Sequence, residues 1–157
     1  MNKATQTARE IEARYQQVSR LVSVLETAPD LTTHITLQFR AKTPADAKRR
    51  GIRALMVRAR MRAGDALRYV IVQETAADGR DIAAYHVFCN LDGDSCRQIC
   101  ARWDIGPHGV NEIDTRNRAA LPAFIFDTSR AKAGRRLFNA SRNIWDSVPA
   151  RPASEAS

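Results

Sequence analysis

The apolar positions of this chain change period along its length, and those changes mark out its elements. Between residues 4 and 27, Ile11, Tyr15, Val18, Val22 and Leu25 recur at steps of three and four, the spacing of one helix face. Ala28-Pro29-Asp30 ends that pattern. From residue 33 to 40 the period falls to two. Ile35, Leu37 and Phe39 alternate with His34, Thr36 and Gln38, which predicts a half-buried strand. Thr43-Pro44-Ala45-Asp46 then reads as a capping residue, a proline in the first helical position and an early acid. The helix it opens is expected to reach about residue 63, with Ile52, Leu55, Met56 and Ala59 as its core stripe.

Tyr69 to Glu74 is rich in β-branched residues and predicts a second strand. Asp78-Gly79 is a strong hairpin signal, so residues 82–91 are expected to return beside it. On that returning strand Ala84, His86, Phe88 and Asn90 share one face, and Tyr85, Val87, Cys89 and Leu91 the other. Ser95 and Gln98 form a capping-box pattern at the start of a short helix carrying Cys96, Ile99, Cys100 and Trp103. Gly106, Pro107 and Gly109 break the chain, and Val110 to Ile113 can form a fourth strand. A helix interrupted by Pro122 is expected from Asn117 to about Phe126. The order is a helix, then β-α-β-β-α-β, then a helical tail. This predicts an α+β fold of the ferredoxin-like, split β-α-β type: an antiparallel sheet with helices on one face, plus an N-terminal helix. The expected divisions are an amphipathic helix at 1–30, the α+β domain at 31–146 and a disordered tail at 147–157, rich in Pro, Ala and Ser.

Charge sharpens this picture. The 157 residues carry a formal net charge of +8, unevenly spread. Residues 1–39 are neutral, 40–68 hold ten basic and two acidic groups, 69–114 are net −5, and 115–157 are net +5. Two basic blocks around an acidic middle predict one surface for a polyanion, with nucleic acid first among the candidates. No apolar run is long enough to span a bilayer, so no membrane partner is expected. The start lacks the apolar region of a secretory signal, and three cysteines are an odd count. Both point to the cytoplasm.

Few residues invite chemistry. Cys89, Cys96 and Cys100 with His86 and His108 raise the question of zinc, but no Cys-x2-Cys pair is present and the helical stripe explains Cys96 and Cys100 as core. Glu74 and His86 fall on paired strands of one hairpin, where they can share a divalent metal or simply hydrogen bond. His34 and Gln38 are further polar groups on the same sheet. There is no phosphate-binding glycine loop and no His-Glu-x-x-His.

Four segments taken in order resemble a known family. Ile35–Phe39 followed by Thr43-Pro-Ala-Asp-Ala-Lys-Arg-Arg50 is similar to an opening strand and basic helix. Leu67–Glu74 is similar to the next strand, Ala84–Asn90 with Trp103 to the histidine strand and following helix, and Arg135–Ile144 to the closing segment. Together, over roughly residues 33–145, they resemble the replication initiators of rolling-circle plasmids and small single-stranded-DNA phages, the His-hydrophobic-His (HUH) endonucleases. The resemblance implies a divalent metal, Mg²⁺ or Mn²⁺, held by two histidines and an acidic or amide ligand, and a tyrosine that attacks the scissile phosphate.

The chain departs from that pattern at both places. The first histidine position is Ala84, which leaves His86, with Glu74 as the acidic ligand. The tyrosine helix corresponds to Leu121–Asp127, where Phe124 stands at the nucleophile position without an oxygen to attack. The resemblance therefore implies a DNA-binding, replication-associated protein of a plasmid, phage or mobile element, with nicking lost or reduced. Its partner would be single-stranded or hairpin DNA, with Arg49, Arg50, Arg53, Arg135, Arg136 and Arg142 on phosphates. Two alternatives stay open: an active nickase using Tyr15 or a metal-bound water, and a protein-interaction module with a basic face.

Overall fold

The computed structural model describes residues 3–27, 30–76, 81–114, 120, 138–141 and 143. In chain order its elements are α1 (Lys3–Thr27), β1 (Thr33–Gln38), α2 (Ala45–Ala63), β2 (Tyr69–Thr75), β3 (Ile82–Cys89), α3 (Gly93–Cys100), β4 (His108–Glu112) and the short β5 (Phe138–Ala140), with a 3₁₀ turn at Gly64–Ala66. The strands form one antiparallel sheet in the order β4-β1-β3-β2-β5. β1 and β2, joined by α2, flank β3. This is the split β-α-β arrangement of a ferredoxin-like α+β fold.

Alternation sends Ile35 and Leu37 of β1, Ile71 of β2 and Tyr85, Val87 and Cys89 of β3 to one face. There they pack with Leu55, Met56 and Ala59 of α2 and Cys96, Ile99 and Cys100 of α3, and Trp103 closes the cluster. Both helices of the β-α-β-β-α-β unit thus lie on one face of the sheet. Glycine lets the chain pass closely at two points. A Cβ on Gly106 would stand 2.1 Å from the Gln38 carbonyl oxygen, where Gln38 N–H donates to Pro107 and Arg40 N–H to Ile105. A Cβ on Gly51 would meet Ile105 at 2.7 Å.

Both helix starts differ from the sequence expectation. The cap of α2 is Pro44, not Thr43: Pro44 is extended and its carbonyl accepts from Lys48 N–H, while the Thr43 hydroxyl turns back to the Arg40 carbonyl at 2.6 Å. The cap of α3 is Asp92, three residues before Ser95. Its carboxylate accepts the Ser95 N–H at 2.6 Å, because a carboxylate satisfies a helix's first orphan amides better than a hydroxyl already inside the first turn. β4 begins at His108, two residues earlier than expected, since Leu37 pairs with His108. The predicted helix at 117–126 and the tail at 147–157 lie outside the described residues, Ala120 apart.

The far end of the β2–β3 hairpin is closed by Ala76 N–H donating to the Asp81 carbonyl at 2.8 Å. The register shifts between Glu74 and Thr75, a bulge that ends regular pairing just beyond Glu74. At the other end Asn90 ties the strands together: its side chain accepts from Arg68 N–H and donates to the Ala66 carbonyl. Arg68 also grips Asp30 through Nη1, at 2.7 and 2.8 Å from the two carboxylate oxygens.

Candidate functional site

The second face of the sheet carries the polar chemistry. Thr36 and Val72 are the Cα partners of His86, while Gln38 and Glu74 are those of Ala84. Partners in an antiparallel pair point the same way, so His34, Thr36, Gln38, Glu74, Ala84 and His86 all belong to the face opposite α2 and α3. Val70, Val72, Ala84 and Phe88 on this face are buried, and His86 is 4 % exposed among them.

His86 is held on both ring nitrogens. Nε2 lies 3.0 Å from Glu74 Oε2, and Nδ1 lies 3.0 Å from Nε2 of His34. A carboxylate only accepts, so Nε2–H donates to Glu74. One proton then lies between His86 and His34. The His34 ring stacks on Phe88 with centroids 4.6 Å apart, and the Thr36 hydroxyl is 3.4 Å from its Nε2. Burial, reinforced by the neighbouring His86 charge, pushes His34 down to about 4. His34 is therefore neutral at pH 7 and can pass a proton along the chain without itself becoming a stable cation.

The sequence left two readings of Glu74 and His86 open, a metal pair or a hydrogen-bonded pair, and the geometry here is the second. With both imidazole nitrogens engaged, His86 has no lone pair turned to a cation. Among the described residues no three His, Cys, Asp or Glu side chains are arranged to hold a metal. In this arrangement Glu74 and His86 answer each other and His34 rather than a shared ion. His34, named only as a nearby polar group, is the third member of the chain. Its signal was available in the polar face of β1, but pairing His34 with His86 needs the register of two strands 52 residues apart.

Ala84 occupies the place where the resemblance asks for a second histidine. Its side chain is on the Glu74–His86 face, and it is 2 % exposed. Phe124 lies outside the described residues, as do Arg135, Arg136 and Arg142. Tyr15 is on α1 and 60 % exposed.

The cysteines are core. Cys89 and Cys96 sulfurs are 3.6 Å apart, and all three thiols are free and buried. Burial pushes Cys100 up to about 11, and the hydrogen bond with Cys89 together with burial pushes Cys96 up as well. Cys96 and Cys100, so raised, are poor nucleophiles and poor zinc ligands, while the hydrogen bond from Cys96 holds Cys89 below the usual thiol range inside the same buried core.

The basic helix lies apart from the histidines. Arg49, Arg50 and Arg53 lie on α2, on the face of the sheet away from His86, so the basic block is not beside the histidines. Nor do the three share one flank. Arg49 and Arg53 border a groove against β2, whereas Arg50 borders a separate one with Arg58, Arg102 and Trp103. A helical step of 100° per residue separates neighbours 49 and 50 in this way. Other cations of α2 are tied down. Lys48 Nζ donates to the Ile82 carbonyl at 2.6 Å, Arg58 Nε to the Ile99 carbonyl at 3.0 Å, and Arg62 to the Gln98 side chain.

No family model, no curated protein and no solved structure matches this chain. No helix among the described residues is long and apolar enough to cross a membrane.

Proposed function

We propose that this chain is a DNA-binding, replication-associated protein, built like a rolling-circle nickase but with nicking lost or much reduced. The observation that carries the reading is the environment of Ala84. A methyl group stands between Gln38 and Glu74, on the face of His86, where a nickase of the resembled type would place a metal-binding imidazole. His86 is meanwhile spent on Glu74 and His34. With Phe124 offering no hydroxyl, neither the Lewis acid nor the nucleophile of such a reaction is supplied. The exposed arginines of α2 support retained binding to a polyanion.

The test is incubation of the full chain with labelled single-stranded and hairpin oligonucleotides in the presence of Mn²⁺. The expected result is reversible binding without cleavage. An adduct that survives denaturing electrophoresis would overturn the loss of nicking. Absence of binding at low salt would remove DNA from the account and leave the protein-interaction module.

A further inference from the structure

We infer that the groove between α2 and β2, on the sheet face away from His86, is the track for the sugar–phosphate backbone of single-stranded DNA. This rests on the DNA-binding reading above and assigns it a place. The groove encloses about 520 Å³ and runs beneath one stripe of α2. Arg49, Arg53 and Arg60 stand along it, all exposed. At 1.5 Å rise per residue they are spaced about 6 and about 10 Å apart along the axis, so the first interval is on the scale of successive phosphates in an extended strand and the second is longer.

Among the described residues the lining contains no carboxylate. Asp46 is the one acid on α2, and its ion pair is with Arg49. Arg53 has no hydrogen-bond or ion-pair partner among the described residues, and Arg60 has only a long contact, 3.4 Å, to the Tyr69 hydroxyl. Seven cations against one acid on a 19-residue helix is a local conflict, since like charges three or four residues apart repel by a few tenths of a kcal/mol each. A bound polyanion relieves it, and guanidinium forks suit phosphate oxygens. Val57, 54 % exposed, and Gln73 give the groove an apolar wall and an amide, which contact a strand without reading its sequence. A row of cations along one helix stripe fits a strand charged at every residue better than an acidic peptide, whose carboxylates are spaced by its own fold.

Because the sheet lies between this groove and His86, a strand held here is not presented to the histidine face. Binding and any residual chemistry are thereby separated in space.

The experiment is fluorescence anisotropy of a labelled 20-nucleotide oligothymidylate at several salt concentrations. The variants are Arg49→Ala/Arg53→Ala/Arg60→Ala, the charge-keeping Arg49→Lys/Arg53→Lys/Arg60→Lys, and Arg97→Ala/Arg102→Ala as a control elsewhere on the same face. Each lost phosphate contact flattens the log–log salt slope by about 0.7 on single strands, so the alanine triple should lose about two units of slope. The lysine triple should keep most of it and shows that the fold is intact. The control pair should change it little. If the wild type binds and the alanine triple binds with an unchanged slope, the groove is refuted while DNA binding stands. A larger loss from the control pair, tighter binding to duplex than to single strand, or displacement of the oligonucleotide by polyglutamate at equal charge would each refute it too. If the wild type binds no nucleic acid at all, the functional reading falls with it.

Discussion

Acid should destabilise this fold through one imidazole, and the effect can be isolated. Folding strips water from His34 and sets it against His86, which moves it from its ordinary 6.5 to about 4. The unfolded chain therefore takes up a proton near pH 6.5, while the folded chain does so only near pH 4. Between those values the unfolded state binds more protons, so stability falls as pH falls from about 6.5 to about 4 and is unaffected by this group above that window. At 1.36 kcal/mol per pH unit the gap corresponds to about 3 kcal/mol, and the ring's partial exposure trims the expectation to about 2 kcal/mol. Carboxylates also titrate in the lower part of this window, so a reference is needed. His34→Phe keeps a ring against Phe88 and removes the titration. At pH 7 it should cost about 1 to 2 kcal/mol, since His86 Nδ1 loses its partner in a buried site. Urea denaturation of both proteins at half-unit steps from pH 7.5 to 4 gives two stability curves. The wild-type advantage should move by about 2 kcal/mol toward the variant as pH falls, closing or inverting the gap, because only the wild type loses the His34 contribution. Parallel curves would refute the burial argument. An NMR titration placing His34 near 6.5 in the folded protein would refute it equally.

Other expectations follow from individual contacts. Gly106→Ala should lose at least about 2 kcal/mol in a thermal or urea melt, because the new Cβ would collide with backbone at Gln38 that cannot swing away; a cost below about half a kcal/mol would mean that the loop is not held against β1. Leu55→Ala should cost about 2 to 5 kcal/mol, as Leu55 is fully buried between α2 and the sheet. Arg68→Ala should cost only about 1 kcal/mol, since its partner Asp30 is partly open to water; proteolysis should then begin near residue 30, and unchanged cleavage there would show that the pair does not anchor this segment. Ala84→His should raise Mn²⁺ affinity in calorimetry by adding a ligand beside Glu74 and His86, and with Phe124→Tyr it should give more cleavage than either change alone. No change in Mn²⁺ binding would mean that position 84 does not complete a site on this face.

The elements of this protein were legible because local rules govern them. The period-two alternation at 33–40, the β-branched run at 69–74 and the Asp78-Gly79 signal name the strands and their hairpin, and the order β4-β1-β3-β2 within the sheet is the one that β-α-β-β-α-β predicts, whereas β5, added at the β2 edge, falls where a helical tail was expected. The alternation of β3 also assigned Ala84, His86 and Phe88 to one face before any pairing was known. Helix starts were less legible, because Thr43, Pro44, Asp92 and Ser95 compete for the cap and only backbone conformation chooses among them. The site itself needed tertiary structure. That His86 meets Glu74 follows from a hairpin, but that it also meets His34 depends on β1 pairing with β3, a contact between distant segments that no local pattern encodes. The same holds for the charge. Composition made residues 40–68 basic, yet whether that charge stands beside the histidines depends on which face α2 covers. The apolar stripe of Leu55, Met56 and Ala59 buries α2 against Ile35, Leu37 and Ile71, and so carries its arginines to the opposite side of the sheet from His86. Sequence determines which residues each element offers, because propensity and period act over a few residues; packing decides which of them meet, because burial of the largest apolar faces sets the geometry and polar groups take the places that remain.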